Sequence, residues 1–475
     1  MTGSVRWVGC SLVILVAAMM LFAAPASAGK SFDFGFADDR FSDDLFTNES
    51  AAVRSRYLGL AAGSNATYAR INVYWSLVAG TPPANPNDPA DPAYDFAEVD
   101  RAVKSANEQG LEVVLLVLNA PSWAEAPGRP GDLRPGTWKP SADALRGFAE
   151  ALASRYSGSQ PDPDPAGGTL PDVRYYEGWN EPNLRNYLNP LWKGMKPGSP
   201  DVYRGLLNGF YEGIKSVSNA NKVITAGTSP FGEAPGGRRM RPLLFWREVF
   251  CLNDKLKKKC NNSVSFDIFG HNGINSPGDR PQKEAKDPDD ATVSDFHDLG
   301  KVLRAAEKLG TATGAKRHQM WSTETWFESN PPQRRALSLK GQANAMQDSM
   351  YLLWKQKVSA VIFLQVKDSP YDPKSHPLVS FQTGIYTVND KPKPAVHAVR
   401  FPMVADRKGK KTTLWAIPPD KGKVTIELKK GKKWKKIAAK NGKPHKVITL
   451  KKKIGKKNKL RARQGNQKSL VYRSK

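Results

Sequence analysis

Between residues 31 and 401, short apolar runs alternate with longer stretches whose apolar residues recur every three to four positions. Eight short runs predict strands: 32–36, 68–73, 112–118, 173–179, 223–226, 264–269, 319–323 and 358–364. The third is apolar on consecutive positions from Val113 to Leu118, as expected of a strand covered on both faces. Helical patterns lie between the strands. Phe96, Val99, Val103 and Ala106 share one face, as do Leu299, Val302, Leu303, Ala306 and Leu309, and Gly110 and Gly310 follow as stops. Eight strand–helix units in succession predict an α/β fold, a (β/α)8 TIM barrel. The competing architecture is a doubly wound open sheet, but no Gly-rich phosphate fingerprint follows the first strand.

Stretches 80–93, 124–139, 272–291 and 367–381 are rich in Pro, Gly, Asp and Asn and follow strands. In a barrel they share the face that carries active sites. The insert 158–171 precedes a strand and is predicted on the opposite face, as a spacer.

Charge divides the chain. Of a formal net charge of +27, residues 405–475 carry 26 Lys and Arg against 3 Asp and Glu. This break predicts a separate Lys-rich domain over 404–475. Its apolar positions alternate at Val424, Ile426 and Leu428, and again at Leu460 and Ala462, which predicts a β-sandwich-like unit of about four to six strands. Such a domain fits an anionic cell-surface polymer or serves as a solubilising surface; with few exposed aromatics for base stacking, nucleic acid is a poor match.

The first residues read as an export signal. Arg6 precedes an apolar stretch, and Ala26-Ser27-Ala28 is a cleavage site, so residues 1–28 are a predicted signal peptide and 29–403 the barrel domain of a secreted protein. No other segment approaches membrane-spanning length. Cys251 and Cys260 then remain, and in an oxidising compartment they read as a disulfide. Nothing points to a metal, nucleotide or flavin.

The candidate chemistry lies in two glutamates at strand ends, each flanked by tryptophan: Tyr175-Tyr176-Glu177-Gly178-Trp179-Asn180-Glu181-Pro182 and Gln319-Met320-Trp321-Ser322-Thr323-Glu324-Thr325-Trp326. Two such carboxyls can cleave a glycosidic bond, one as acid and one as nucleophile, when held about 5–5.5 Å apart. At that spacing and an effective dielectric near 20, their mutual repulsion is about 3 kcal/mol, which keeps one proton on the pair. Glu177 reads as a buried charge paired with a basic group, and Glu328 as solvated. Trp75, Trp123, Trp179 and Trp326 lie near strand ends, where indole faces stack on sugars; Trp321 fits the core equally well.

Trp179-Asn180-Glu181-Pro182 resembles the acid/base signature of the clan of retaining β-glycosidases built on (β/α)8 barrels, which includes the family 39 β-xylosidases and α-iduronidases and the family 5 endoglucanases. The resemblance implies Glu181 as acid/base at the end of the fourth strand and Glu324 as nucleophile at the end of the seventh. It further implies Arg70 holding the nucleophile, Asn180 donating to the sugar 2-hydroxyl, His271 in the active site, no cofactor, and an oligo- or polysaccharide substrate of xylosidase-like or endoglucanase-like type. Gly384-Ile385-Tyr386 through Lys391-Pro392-Lys393-Pro394-Ala395 is similar to a segment near the close of such barrels. Two positions depart from the clan. Leu364-Gln365-Val366-Lys367 stands where a Trp usually ends the eighth strand, and His271-Asn272-Gly273-Ile274 replaces His-Pro-Tyr. A second reading follows from these departures: a barrel without turnover that binds carbohydrate or cell wall.

Overall fold

The computed structural model describes residues 31–42, 51–164, 168–374 and 380–474. The predicted signal peptide lies outside them. Eight parallel strands close into a barrel: β1 (Asp33–Ala37), β2 (Tyr68–Tyr74), β3 (Glu112–Leu118), β4 (Tyr175–Asn180), β5 (Lys222–Gly227), β6 (Ile268–Asn272), β7 (Gln319–Thr325) and β8 (Val358–Leu364). Each pairs with its sequence neighbours, and β1 closes on β8 with Asp33 opposite Ala360. Helices return the chain after each strand: α1 (Ala51–Gly63), α2 (Ala97–Glu108), α3 (Ala142–Arg155), α4 (Ser199–Val217), α5 (Pro242–Val249), α6 (Phe296–Leu309), α7 (Leu339–Lys355) and α8 (Pro394–Arg400). Gly310 ends α6 at φ 69°, a left-handed cap that glycine adopts without steric cost.

The sixth strand departs from its predicted span. Val264–Ser265 leaves the barrel and pairs with Ala312–Thr313, and the barrel strand begins at Ile268. The described parts of the four loops predicted on one face follow β2, β3, β6 and β8 and so occupy the C-terminal end of the barrel. The described part of the insert precedes β4, at the other end.

The barrel interior is lined by Tyr68, Val114, Ile224, Ile268, Trp321, Ala360 and Ile362, which pack together apart from the larger core between strands and helices. Trp321 is therefore a core residue.

After the barrel come β9 (Met403–Lys408), β10 (Lys411–Ala416), β11 (Gly422–Lys430), β12 (Lys433–Gly442), β13 (Ile448–Lys452), β14 (Lys459–Gln464), β15 (Gln467–Lys468) and β16 (Tyr472–Arg473). They form a three-stranded sheet, β9-β10-β13, and a five-stranded sheet, β12-β11-β14-β15 with β16 against β14. All of these pairings are antiparallel. Two very short strands at the end raise the number above the sequence estimate. Val424, Ile426, Leu460, Ala462 and Trp415 are buried in this region. It docks along α7, where Tyr351 donates to Asp406 at 2.6 Å and Tyr472 to Asp348 at 2.8 Å.

Candidate active site

The site is built upward from an aromatic floor. Tyr68, Tyr175 and Trp321, near the starts of β2, β4 and β7, meet inside the barrel with ring centroids 4.8 to 5.4 Å apart. Side chains on a strand alternate, so the next inward residues are Arg70 and Glu177. Arg70 donates from Nε to Glu177 Oε2 at 2.7 Å and from Nη2 to Oε1 at 3.3 Å. The Gly227 amide adds a third bond to Glu177 at 3.2 Å. Both side chains are buried, and each supplies the charge the other needs. The same guanidinium donates to Asn180 Oδ1 at 3.4 Å and lies 3.9 Å from Glu324 Oε2. Burial pulls the Arg70 pKa down, but Glu177, Glu324 and Glu181 more than restore it.

At the end of β4 the alternation breaks. Trp179 has φ 83° and Glu181 φ 39°, both in the left-handed region that costs a non-glycine residue of order 1–3 kcal/mol. Trp179 is buried in the core and donates its indole N–H to the Tyr187 carbonyl at 3.0 Å. Glu181 anchors its amide on the Gly227 carbonyl at 2.9 Å. Its Oε1 accepts from Asn272 Nδ2 at 3.1 Å, and Asn272 Oδ1 accepts from Thr323 at 2.9 Å. Thr323 immediately precedes Glu324, and Asn272 is the register partner of Glu324 across β6 and β7. Asn272 thus links the two carboxylate-bearing strands. Gly227 makes room for this: a Cβ there would stand 2.0 Å from Asn272 Oδ1 and 2.3 Å from Thr323 Oγ1.

Glu324 keeps 19% of its side chain exposed. A hydrogen bond from the Trp326 side chain favours its charged form, and the half-buried Trp326 ring packs 5.5 Å from Phe381. Burial, then the charge of Glu324, pushes the Glu181 pKa up to about 8, against the opposing pull of Asn272 and Arg70. Burial also raises Glu324, with Arg70 the main counterweight. Arg70 thus favours the charged form of Glu324, and the charge of Glu324 in turn favours the protonated form of Glu181. Tyr187 is raised by burial and by both glutamates, so its phenol stays neutral beside them. Asn72 bonds to Asp39 at 3.4 Å, and the Asp39 charge also raises Glu324.

The structure gathers Glu181, Glu324, Arg70, Asn180 and Trp326 at one end of the barrel. It places four other candidates differently. His271 is fully buried, bonded to Thr228 at 2.8 Å and to the Ala291 carbonyl at 2.9 Å. Burial depresses its pKa to about 4, so the imidazole is neutral. Trp75 is fully buried and stacks on Phe148 at 5.6 Å. Trp179 is core. Trp123 is half-buried, edge-on to Trp75, with its N–H held by the Ala79 carbonyl at 2.8 Å. Glu328, expected in solvent, is only 8% exposed. Cys251 and Cys260 are disulfide-bonded. Sequence reasoning missed Asn272, Tyr187 and Asp39.

No family model matches this sequence, and a search of curated proteins returns no match. Solved structures do match. A family 39 glycoside hydrolase from the gut symbiont Bacteroides cellulosilyticus WH2 aligns over 88% of this chain and 80% of its own, at 14% identity and a TM-score of 0.53. A GH5_18 protein from Bifidobacterium longum subsp. infantis covers 78% of each chain at 13% identity and TM-score 0.49. A glucosidase from Croceicoccus marinus covers 84% of this chain and 89% of its own at 12% identity and TM-score 0.48. The barrel thus shares its fold with a family 39 glycoside hydrolase.

Proposed function

We propose that this chain is a secreted glycosidase that hydrolyses β-glycosidic bonds with retention. Glu181 is the acid/base and Glu324 the nucleophile. The reading rests chiefly on the convergence of these carboxyls, with one proton between them and Arg70 beside Glu324.

In the first step the Glu324 carboxylate attacks the anomeric carbon while Glu181 protonates the departing oxygen. The glycosidic C–O bond breaks, and an ester to Glu324 forms. That ester carries no charge, so the repulsion raising Glu181 disappears and its pKa falls. Glu181 then takes a proton from water, the hydroxide adds to the anomeric carbon, and the Glu324 carboxylate leaves. Asn180, held by Arg70, donates to the sugar 2-hydroxyl. Trp326 and Phe381 offer apolar faces beside Glu324. Substrate is an oligo- or polysaccharide of xylosidase-like or endoglucanase-like type.

Residues 1–28 direct export, 29–403 form the hydrolase domain, and 404–475 attach the protein to an anionic cell-surface polymer. Export accords with the disulfide, and no described helix is long and apolar enough to cross a membrane.

One observation favours a binding protein without turnover. Gln365, the residue after β8, is only 7% exposed, donating to Ser369 at 2.9 Å and accepting from Thr383 at 3.1 Å, so no aromatic platform comes from that strand end. Proton NMR of the first-formed anomer from an aryl β-glycoside decides. The β-anomer supports the proposal, the α-anomer contradicts retention, and no hydrolysis over a broad glycan panel supports the binder.

A further inference from the structure

A second cleft, of about 350 Å³, lies in the seam between the barrel and the C-terminal region. One wall is the start of α7, with Lys340, Asn344 and Asp348, together with Arg280 from the loop after β6. The opposite wall carries Trp434, Lys429, Lys459 and Arg473. These four form one row across the sheet. Trp434 on β12 is the register partner of Lys429 on β11, and Lys459 on β14 that of Arg473 on β16. Lys429 follows Leu428 and Lys459 precedes Leu460 in this antiparallel pair, so the two lysines stand opposite each other. Like charges directly opposite on neighbouring strands are destabilising. Among the described residues no carboxylate pairs with Lys429, Lys459, Arg473, Lys340 or Arg280, although Arg461 and Arg463, on β14, both bind Glu427. The one acid in the lining, Asp348, already accepts from Tyr472 at 2.8 Å and from Gln282 at 2.7 Å. The half-buried Trp434 ring is held by Arg461, 4.2 Å from its centroid.

We infer that this seam cleft is a binding site for an acidic polysaccharide, a chain of uronate sugars whose carboxylates meet the cations that no described carboxylate neutralises, while a ring packs beside Trp434 and Lys429, whose ammonium lies 6.0 Å from the indole centroid. The inference rests on the polymer-binding reading above and locates it. A single partly exposed indole beside the row serves a sugar face better than the successive stacking platforms that single-stranded nucleic acid uses. The site is composite. α7 runs opposite to the barrel strands, so its first residues stand at the end of the barrel where Glu181 and Glu324 emerge. A chain held in the seam is therefore presented to the active face.

The test is affinity electrophoresis of the full-length protein in polygalacturonate, with teichoic acid and single-stranded DNA in parallel gels. The expected result is retardation by polygalacturonate above all, lost in high salt. It weakens about tenfold in Trp434→Ala, in the Lys429→Glu/Lys459→Glu pair, and in Lys340→Glu on the barrel wall. Aryl glycoside hydrolysis and thermal unfolding stay as in the parent. Retardation that is unchanged in all three variants overturns the cleft assignment while leaving polymer binding by the basic region intact. Preferential binding of teichoic acid or DNA overturns the uronate assignment. Binding of none of the three overturns both this inference and the polymer reading.

Discussion

Asn272 donates to Glu181 at 3.1 Å while accepting from Thr323, the neighbour of Glu324, so one amide ties Glu181 to the strand end that carries Glu324. The bond to Glu181 favours its charged form. Asn272→Ala is therefore expected to raise the Glu181 pKa further and to move the alkaline limb of kcat/KM upward. Glu181 gains negative charge as it gives up its proton, so loss of this bond lowers kcat/KM by about tenfold. A pH–rate profile checks both. Gly227→Ala, which drives a methyl group into the same amide, gives a similar loss.

Glu181→Gln removes proton donation but leaves Glu324 in place. The expected loss is about 10²- to 10⁴-fold on substrates with poor leaving groups. It is far smaller for the first step with dinitrophenyl glycosides, which leave unprotonated. Rates across a series of aryl glycosides check this. A loss independent of leaving group contradicts the assignment of Glu181.

Arg70 commits its fork to Glu177, with Glu324 at longer range. Arg70→Ala leaves Glu177 buried without its partner and is expected to cost about 3–5 kcal/mol of stability. Replacing Arg70 and Glu177 together with apolar residues costs less than Arg70→Ala alone. Urea unfolding of the variants checks the order.

The strands were legible because covered parallel strands must be apolar on both faces, and Glu112–Leu118 appears at its predicted bounds. The glutamates were legible because strand ends deliver them. The misreadings have local causes. Starting the sixth strand at Val264 hid its phase. Ile268 points into the barrel, so period-two alternation sends Asn272 inward and His271 outward against Phe296. Trp75 and Trp179 lie at strand ends, but the backbone turns there and buries their rings. Tyr187 follows an irregular turn with no periodicity, so only the folded chain places it beside Glu181.

Asp38 and His271 pull stability in opposite directions over one pH window. Burial raises Asp38 to about 6 from its ordinary 3.8, against bonds from the Val366 and Arg40 amides. The fold thus favours its neutral form, and about 3 kcal/mol is lost as pH rises from about 4 to 6. His271 is lowered to about 4 from 6.5, so its contribution, also about 3 kcal/mol, is lost as pH falls through that range. Relative to the parent, Asp38→Asn should gain stability as pH rises and His271→Gln as pH falls. Urea unfolding at successive pH values checks the two signs.

Double displacement requires a covalent bond between Glu324 and the sugar. A 2-fluoro glycoside with a good leaving group slows release of that ester, and mass spectrometry of the digested protein locates it. A single sugar is expected on the peptide that contains Glu324, and none on Glu324→Ala. A label on another residue, or hydrolysis of the unfluorinated glycoside with no label formed, would contradict it.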